Sequence, residues 1–264
     1  MIGKLNLKIC PVCACGNSVD DTVLASTQIR RCPACTHRYA AEIQPVVYDE
    51  LYQAGLYRQT LILPTQCAAA TGGTLEQTHE PFFNRITPFG AGRLLEIACG
   101  TGRFSYEASQ RGWNVVACDS SPAAIGAARE AFGKTVDFHV ADAFRAPEGP
   151  FEVISAIEFL EHNAEPLEIL RSMAGRATTG GIVYVSVPNW RSRGVRESTN
   201  AAWVPPIHVQ FFTRRSLQQL LKRVPAINHK TVQVGFIPPI TSLFPITQFS
   251  VNQPDGLWAL ARVR

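Results

Sequence analysis

Four cysteines stand in two C-x2-C turns, CPVC at 10–13 and CPAC at 32–35, separated by 18 residues. Each turn presents two sulfurs at the spacing of a tetrahedral ion. Cys10, Cys13, Cys32 and Cys35 therefore read as the thiolates of a structural zinc ribbon, with no position left open for water. Cys15 is an alternative ligand in the first pair, and a redox dithiol is the rival chemistry. A second set begins at LLEIACGTG, 94–102, where Gly100 and Gly102 let the chain turn sharply and let a ligand lie against its backbone. In the dinucleotide fingerprint the third glycine would fall at Ser105, which weakens a pyrophosphate reading. Glu96, ahead of the turn, suits a ligand that carries positive charge. Asp119 stands where a carboxylate can accept from both hydroxyls of a ribose. Further on, Asp142 can accept from an exocyclic amine and Phe144 can cover a ring. The third set comprises Glu158 and His162, which share a face if a helical turn begins there, and His208 behind the stiff Pro205-Pro206 pair. An imidazole of ordinary pKa, ~6.5, would take a proton from a hydroxyl near neutral pH.

The elements that position these residues follow from hydrophobic pattern. Apolar runs at 93–99, 114–119, 136–142, 151–157, 181–188, 229–236 and 257–263 read as strands, the early ones alternating with amphipathic helices as in βαβ units. Ser121 with Pro122 and Thr213 mark helix starts, as does Pro166, and each is followed by apolar residues at helical spacing. The chain divides into a zinc ribbon over 1–44, a helical connector or lid over 45–90 broken by AAATGGT, and an α/β domain over 91–264.

In order and spacing, LLEIACGTGRFSYEASQRGWNVVACDSSPAAIGAAR, VDFHVADAF, FEVISAIEFLEHNAEPLEIL and HVQFFTRRSL resemble the motifs of class I S-adenosylmethionine-dependent methyltransferases. The resemblance covers roughly 90–264. It implies a Rossmann-like seven-stranded sheet with a reversed last strand. It also implies that Ala98, Gly100 and Gly102 line the methionine part of the cofactor, Asp119 and Ser120 the ribose, and Asp142 and Ala143 the adenine, and Glu96, Thr101, Phe144 and Ile157 join them as candidate cofactor-binding residues. His162 matches the histidine of an E-x-L-E-H motif, and His208 lies in an H-x-x-F-F context that borders the acceptor, which favours His208 slightly as a base. Enzymes that methylate base amines usually carry Asn/Asp-Pro-Pro-aromatic where this chain reads Ala156-Ile157-Glu158-Phe159, so that acceptor is disfavoured. A ribbon, a Tyr-rich helix and then these motifs resemble bacterial enzymes acting on sugars, polysaccharide precursors or natural products. Tyr52, Tyr57, Phe82, Phe83, Trp190, Trp203, Phe236 and Phe244 are candidates to wall such an acceptor.

With 264 residues, 46% of them hydrophobic and 17% charged, the chain can bury a full core. It shows neither a signal-peptide run nor a segment of ~20 apolar residues, so a cytoplasmic location without membrane contact is expected. A net charge of +4 is scattered and forms no run. The leading expectation is methyl transfer to a hydroxyl of a small acceptor. The alternatives are an RNA methyltransferase, because Lys4, Lys8, Arg30, Arg31 and Arg38 outnumber Asp20 and Asp21 in the ribbon, a catalytically silent binding protein of the same fold, and an NAD oxidoreductase. The oligomeric state is left open.

Overall fold

A computed structural model describes residues 5–54, 74–87, 90–197, 203–237 and 256–264. Of the expected linker at 68–74, residues 68–73 lie outside them, as do Tyr57 and Phe244, while Thr74 opens a helix. Five short strands come first: β1 (Leu5–Asn6), β2 (Val19–Leu24), β3 (Thr27–Arg31), β4 (Arg38–Ala40) and β5 (Glu42–Ile43). Two helices follow, α1 (Tyr48–Gln53) and α2 (Thr74–Ile86). The α/β part then alternates β6 (Arg93–Ile97), α3 (Arg103–Gln110), β7 (Asn114–Asp119), α4 (Pro122–Phe132), β8 (Asp137–Val140), β9 (Phe151–Ile157), α5 (Pro166–Arg176) and β10 (Ala177–Pro188). It ends with α6 (Arg193–Arg196), β11 (Gln210–Phe211), α7 (Arg214–Lys222), β12 (Gln233–Ile237) and β13 (Gly256–Arg262).

Seven strands form one sheet in the order β12-β13-β10-β9-β6-β7-β8. The central pairs are parallel, whereas β13 runs antiparallel to both β10 and β12, which is the expected reversed last strand. Alternate residues divide between two buried layers. Leu95, Ile97, Ile154 and Val185 face α5 and α7, while Leu94, Val115, Val153 and Tyr184 face α2, α3 and α4. Covering both faces explains why the central strands are near-continuous apolar runs. The caps form as their chemistry dictates: Ala124 N donates to Ser121 Oγ, and Thr213 makes a reciprocal box with Ser216.

Several boundaries differ from the sequence reading, among them the third strand, expected over 136–142 and observed over Asp137–Val140. β6 stops at Ile97 because Ala98 turns into the left-handed region at φ 57°. β10 starts four residues early, at Ala177. Residues His229–Thr231 form a 3-10 turn, capped by the Asn228 side chain accepting from Lys230 N, in place of the first half of a strand.

The cysteine-bearing strands are joined to the α/β part by backbone pairing. β11, from the stretch that carries His208, is added to the edge of β4, giving a four-stranded sheet β11-β4-β3-β2. His37 Nε2 donates to Gln210 Oε1 at 2.8 Å, and Gln210 Nε2 donates to the Asn163 carbonyl at 2.8 Å. Both His37 and Gln210 are buried, so this is an interior connection between the two parts. Among the described residues no helix is long and apolar enough to cross a membrane.

Candidate active site

The turn after β6 carries three positive φ angles: Ala98 57°, Gly100 54° and Gly102 81°. A non-glycine residue in that region costs on the order of 1–2 kcal/mol, a strain typical of turns shaped for a ligand. A Cβ on Gly102 would stand 2.5 Å from Phe138 Cζ, and one on Gly100 would stand 2.8 Å from the Tyr52 hydroxyl. The turn thus runs tight against the layer below while Tyr52 lies over its outer side.

Asp119 ends β7 beside this turn. Its Oδ2 accepts from Gly100 N and its Oδ1 from Ser121 N, both at 2.9 Å, leaving a lone pair on each oxygen for ligand hydroxyls. Burial raises its pKa even so. Glu96 is buried beneath the turn, where Ser105 Oγ donates to it, and burial pushes its carboxyl up to about 8. Thr101 is buried and Ser120 exposed. Asp142 Oδ1 accepts from Phe144 N and Arg145 N at 2.9 Å, which shapes the loop after β8, with Ala143 buried and Phe144 half exposed. Ile157, at the end of β9, sits one step beyond the Ile97–Ala156 pair and so flanks Ala98.

Histidines 162 and 208 meet at the carboxyl edge of β9. A 3-10 turn, Leu160–His162, follows that strand, and the two rings are 4.7 Å apart in an edge-to-face arrangement. His162 Nδ1 donates to the Ile207 carbonyl at 3.0 Å, which leaves Nε2 as the acceptor, 3.8 Å from Glu161 Oε1. One donor atom from each of Glu161, His162 and His208 lies within 4.8 Å of the other two. A carboxylate with two imidazoles is also a set that divalent cations accept.

The electrostatics differ from those of free side chains. Burial, with His162 as neighbour, pushes His208 down to about 2, and burial pushes His162 down to about 4, so both rings are neutral at pH 7. Glu161 moves the other way: burial, reinforced by Glu158, raises its pKa well above the carboxylate range. Neither Glu161 oxygen has a hydrogen-bond partner among the described residues. The expected pairing of Glu158 with His162 does not form. Glu158 leaves the strand at φ 48°, outside any helical turn, and its Oε1 accepts from Ser186 Oγ at 2.9 Å.

Helix α1 spans both halves of the site. Tyr48 packs edge-on against His162 and donates to the Ile207 carbonyl at 3.4 Å, while Asp49 Oδ1 accepts from Ser121 Oγ at 2.7 Å and Ala123 N at 2.9 Å. A carboxylate at the start of α4 also complements the helix dipole. Sequence reasoning missed Tyr48, Asp49 and Glu161. The signals were present in YDELY and E-x-L-E-H, but neither says which partner folds back onto it. Of the aromatic residues expected to wall an acceptor, Phe82 and Phe83 are core, Phe83 stacked on Phe104 and Phe82 edge-on to it.

The cysteines converge as their spacing required. Cys10, Cys13, Cys32 and Cys35 bring their sulfurs within 4.8 Å of one another, with Cys10 and Cys35 3.6 Å apart and Cys13 and Cys32 3.5 Å apart. Four converging thiols fit one tetrahedral ion better than two separate dithiols. Cys15 stays outside this group.

Residues 73–224 match the methyltransferase domain family. The chain belongs to the S-adenosylmethionine-dependent methyltransferases. Among curated relatives it is 32% identical over 171 residues to a ubiquinone biosynthesis O-methyltransferase of Caulobacter sp. strain K31, an alignment spanning 59% of this chain and 67% of that one. With the Caulobacter vibrioides protein of the same name identity is 33%, over 45% of this chain and 52% of the other. Several of these relatives are matched over only about half their length. Among solved structures, magnesium protoporphyrin IX methyltransferase from Synechocystis with bound S-adenosylhomocysteine superposes with a TM-score of 0.58 at 16% identity, covering 82% of this chain and 97% of that one. At that identity the likeness shows the fold alone.

Proposed function

We propose that this chain transfers a methyl group from S-adenosylmethionine to a hydroxyl oxygen of a small organic acceptor. The observation that carries the reading is the convergence of Glu161, His162 and His208 at the carboxyl edge of β9, on the same sheet edge as the glycine turn after β6. The names of the curated relatives, O-methyltransferases of ubiquinone biosynthesis, support oxygen as the accepting atom.

The residues present fit the cofactor. Ala98 is held at a strained positive φ, Gly100 and Gly102 offer a closely approachable backbone, Asp119 keeps two lone pairs that would accept from ribose hydroxyls, Asp142 and Phe144 would border an adenine, and the buried Glu96 favours a cationic ligand. When bound, the cofactor supplies a sulfonium-activated methyl group. The chain's main task is then alignment, which can supply on the order of 7–11 kcal/mol. Tyr48, Asp49 and Tyr52 close α1 over the site and exclude water. Glu161 in its ionised form accepts the hydroxyl proton and neutral His208 donates its ring N–H to the oxygen, while His162, whose own N–H is held by the Ile207 carbonyl, packs edge-on against His208 and positions it. This assigns to His208 an orienting role at the acceptor where the sequence suggested a base. We further propose that Cys10, Cys13, Cys32 and Cys35 hold a structural zinc.

Glu161→Gln tests this reading without changing side-chain volume. Turnover of a hydroxyl acceptor is expected to fall about 10²-fold or more, with cofactor affinity by calorimetry within twofold of the parent. Unchanged turnover would remove the trio from the chemistry.

A further inference from the structure

Two recesses meet just past the end of β10. One, about 370 Å³, is walled by Arg38, Trp190, Arg191 and Arg196. Its neighbour, about 560 Å³, shares Arg191 and adds Arg214 and Arg215. No carboxylate lines either recess. Arg38 lies 2.6 Å from Asp21, a carboxylate it shares with Arg31, and over the Trp190 ring. Among the described residues Arg214 and Arg215 donate to the carbonyls of Val234 and Ala34 and have no acidic partner. Among the described residues neither Arg191 nor Arg196 has an acidic partner, and both are exposed. Four unbalanced guanidinium groups around two joined hollows repel one another, and a multiply charged anion relieves that repulsion. The planar fork of arginine matches phosphate oxygens two at a time.

We infer that the paired recesses bind a phosphate or diphosphate group. An extended polyanion is disfavoured because the neighbouring arginines on the cysteine-bearing strands, Arg30 and Arg31, are already paired with Asp20 and Asp21, so the positive charge forms a pocket and not a track. The recesses also sit within reach of the acceptor trio. His208 and Thr213, which lines the second recess, are five residues apart in a stretch that includes β11, a span of at most about 17 Å even when fully extended. A phosphorylated acceptor can therefore rest its charge at Arg191 while its hydroxyl reaches Glu161. That last assignment rests on the proposed methyl transfer; the anion site does not.

The test is calorimetric titration of pyrophosphate into the protein and into the Arg191→Ala/Arg196→Ala double variant, with S-adenosylmethionine titrated in parallel. Pyrophosphate is expected to bind the parent, weaken as salt is raised, and lose tenfold or more in the variant, while cofactor affinity stays within twofold. Absence of pyrophosphate binding, equal binding by the variant, or tighter binding of a single-stranded RNA oligonucleotide than of pyrophosphate would overturn the inference. Labelled methyl transfer into metabolite fractions, before and after phosphatase treatment, then separates the sources. Loss of incorporation places the phosphate on the acceptor, and unchanged incorporation supports a free phosphate as occupant of the same recesses.

Discussion

Gly102 and Glu96 show how much chemistry a single residue can fix. At Gly102 any other side chain meets two obstacles, a φ of 81° and the Phe138 ring. Gly102→Ala is expected to lose about 1–3 kcal/mol of stability by chemical denaturation, and an unchanged midpoint would mean that the turn relaxes freely. Glu96 gives a pH signature. Its folded carboxyl keeps its proton up to about 8, whereas an unfolded one loses it near 4.5, so this residue makes the unliganded protein less stable as pH rises through that window. A ligand carrying net positive charge favours the ionised form. Cofactor affinity should therefore increase with pH until about 8 and then level off, with proton release in calorimetry run in two buffers; Glu96→Gln should flatten that dependence. Identical slopes in parent and variant would free Glu96 from any part in binding. Glycines, acids and cysteines of this kind were legible in the sequence because their chemistry is tied to local spacing. Glu161 was not, because its raised pKa and unpartnered oxygens come from a burial that spacing does not reveal.

The elements divide in the same way. Strands β7 and β9 and the caps at Ser121 and Thr213 were readable from period and turn chemistry. The pairing of β11 with β4 was not, because two residues meeting two others across more than 160 positions of chain leave no local pattern. The consequence is that the strands flanking the cysteine turns brace the segment that carries Glu161 and His208: Val209 N donates to the Glu161 carbonyl, Ala40 N donates to the Val209 carbonyl, and His37 reaches Gln210. If the four thiolates hold zinc, one ion per chain should be found by elemental analysis. Cys32→Ser/Cys35→Ser should lose that ion, lower the melting temperature, and speed amide exchange at 209–211. Exchange at 209–211 that stays as slow as in the parent would show that β11 does not depend on the metal.

At the scale of the whole molecule, the alternation of apolar runs with amphipathic helices announced a parallel α/β sheet, while its reversed last strand was implied by the family resemblance and agrees with the antiparallel β13. How the outer pieces close over it depended on side chains that pattern does not connect: Asp49 to the start of α4, Tyr52 to the glycine turn, Tyr48 to His162. Together they bring one short helix over both the glycine turn and the histidine pair. The claim on which everything else depends is that the β6 turn and Asp119 together hold S-adenosylmethionine. Calorimetric titration of that compound into the parent and into Asp119→Ala tests it most directly. The account predicts one site per chain in the parent and affinity weakened at least tenfold in the variant, for the loss of two charge-assisted hydrogen bonds. Equal affinity in the two proteins, or no binding by the parent, would contradict it.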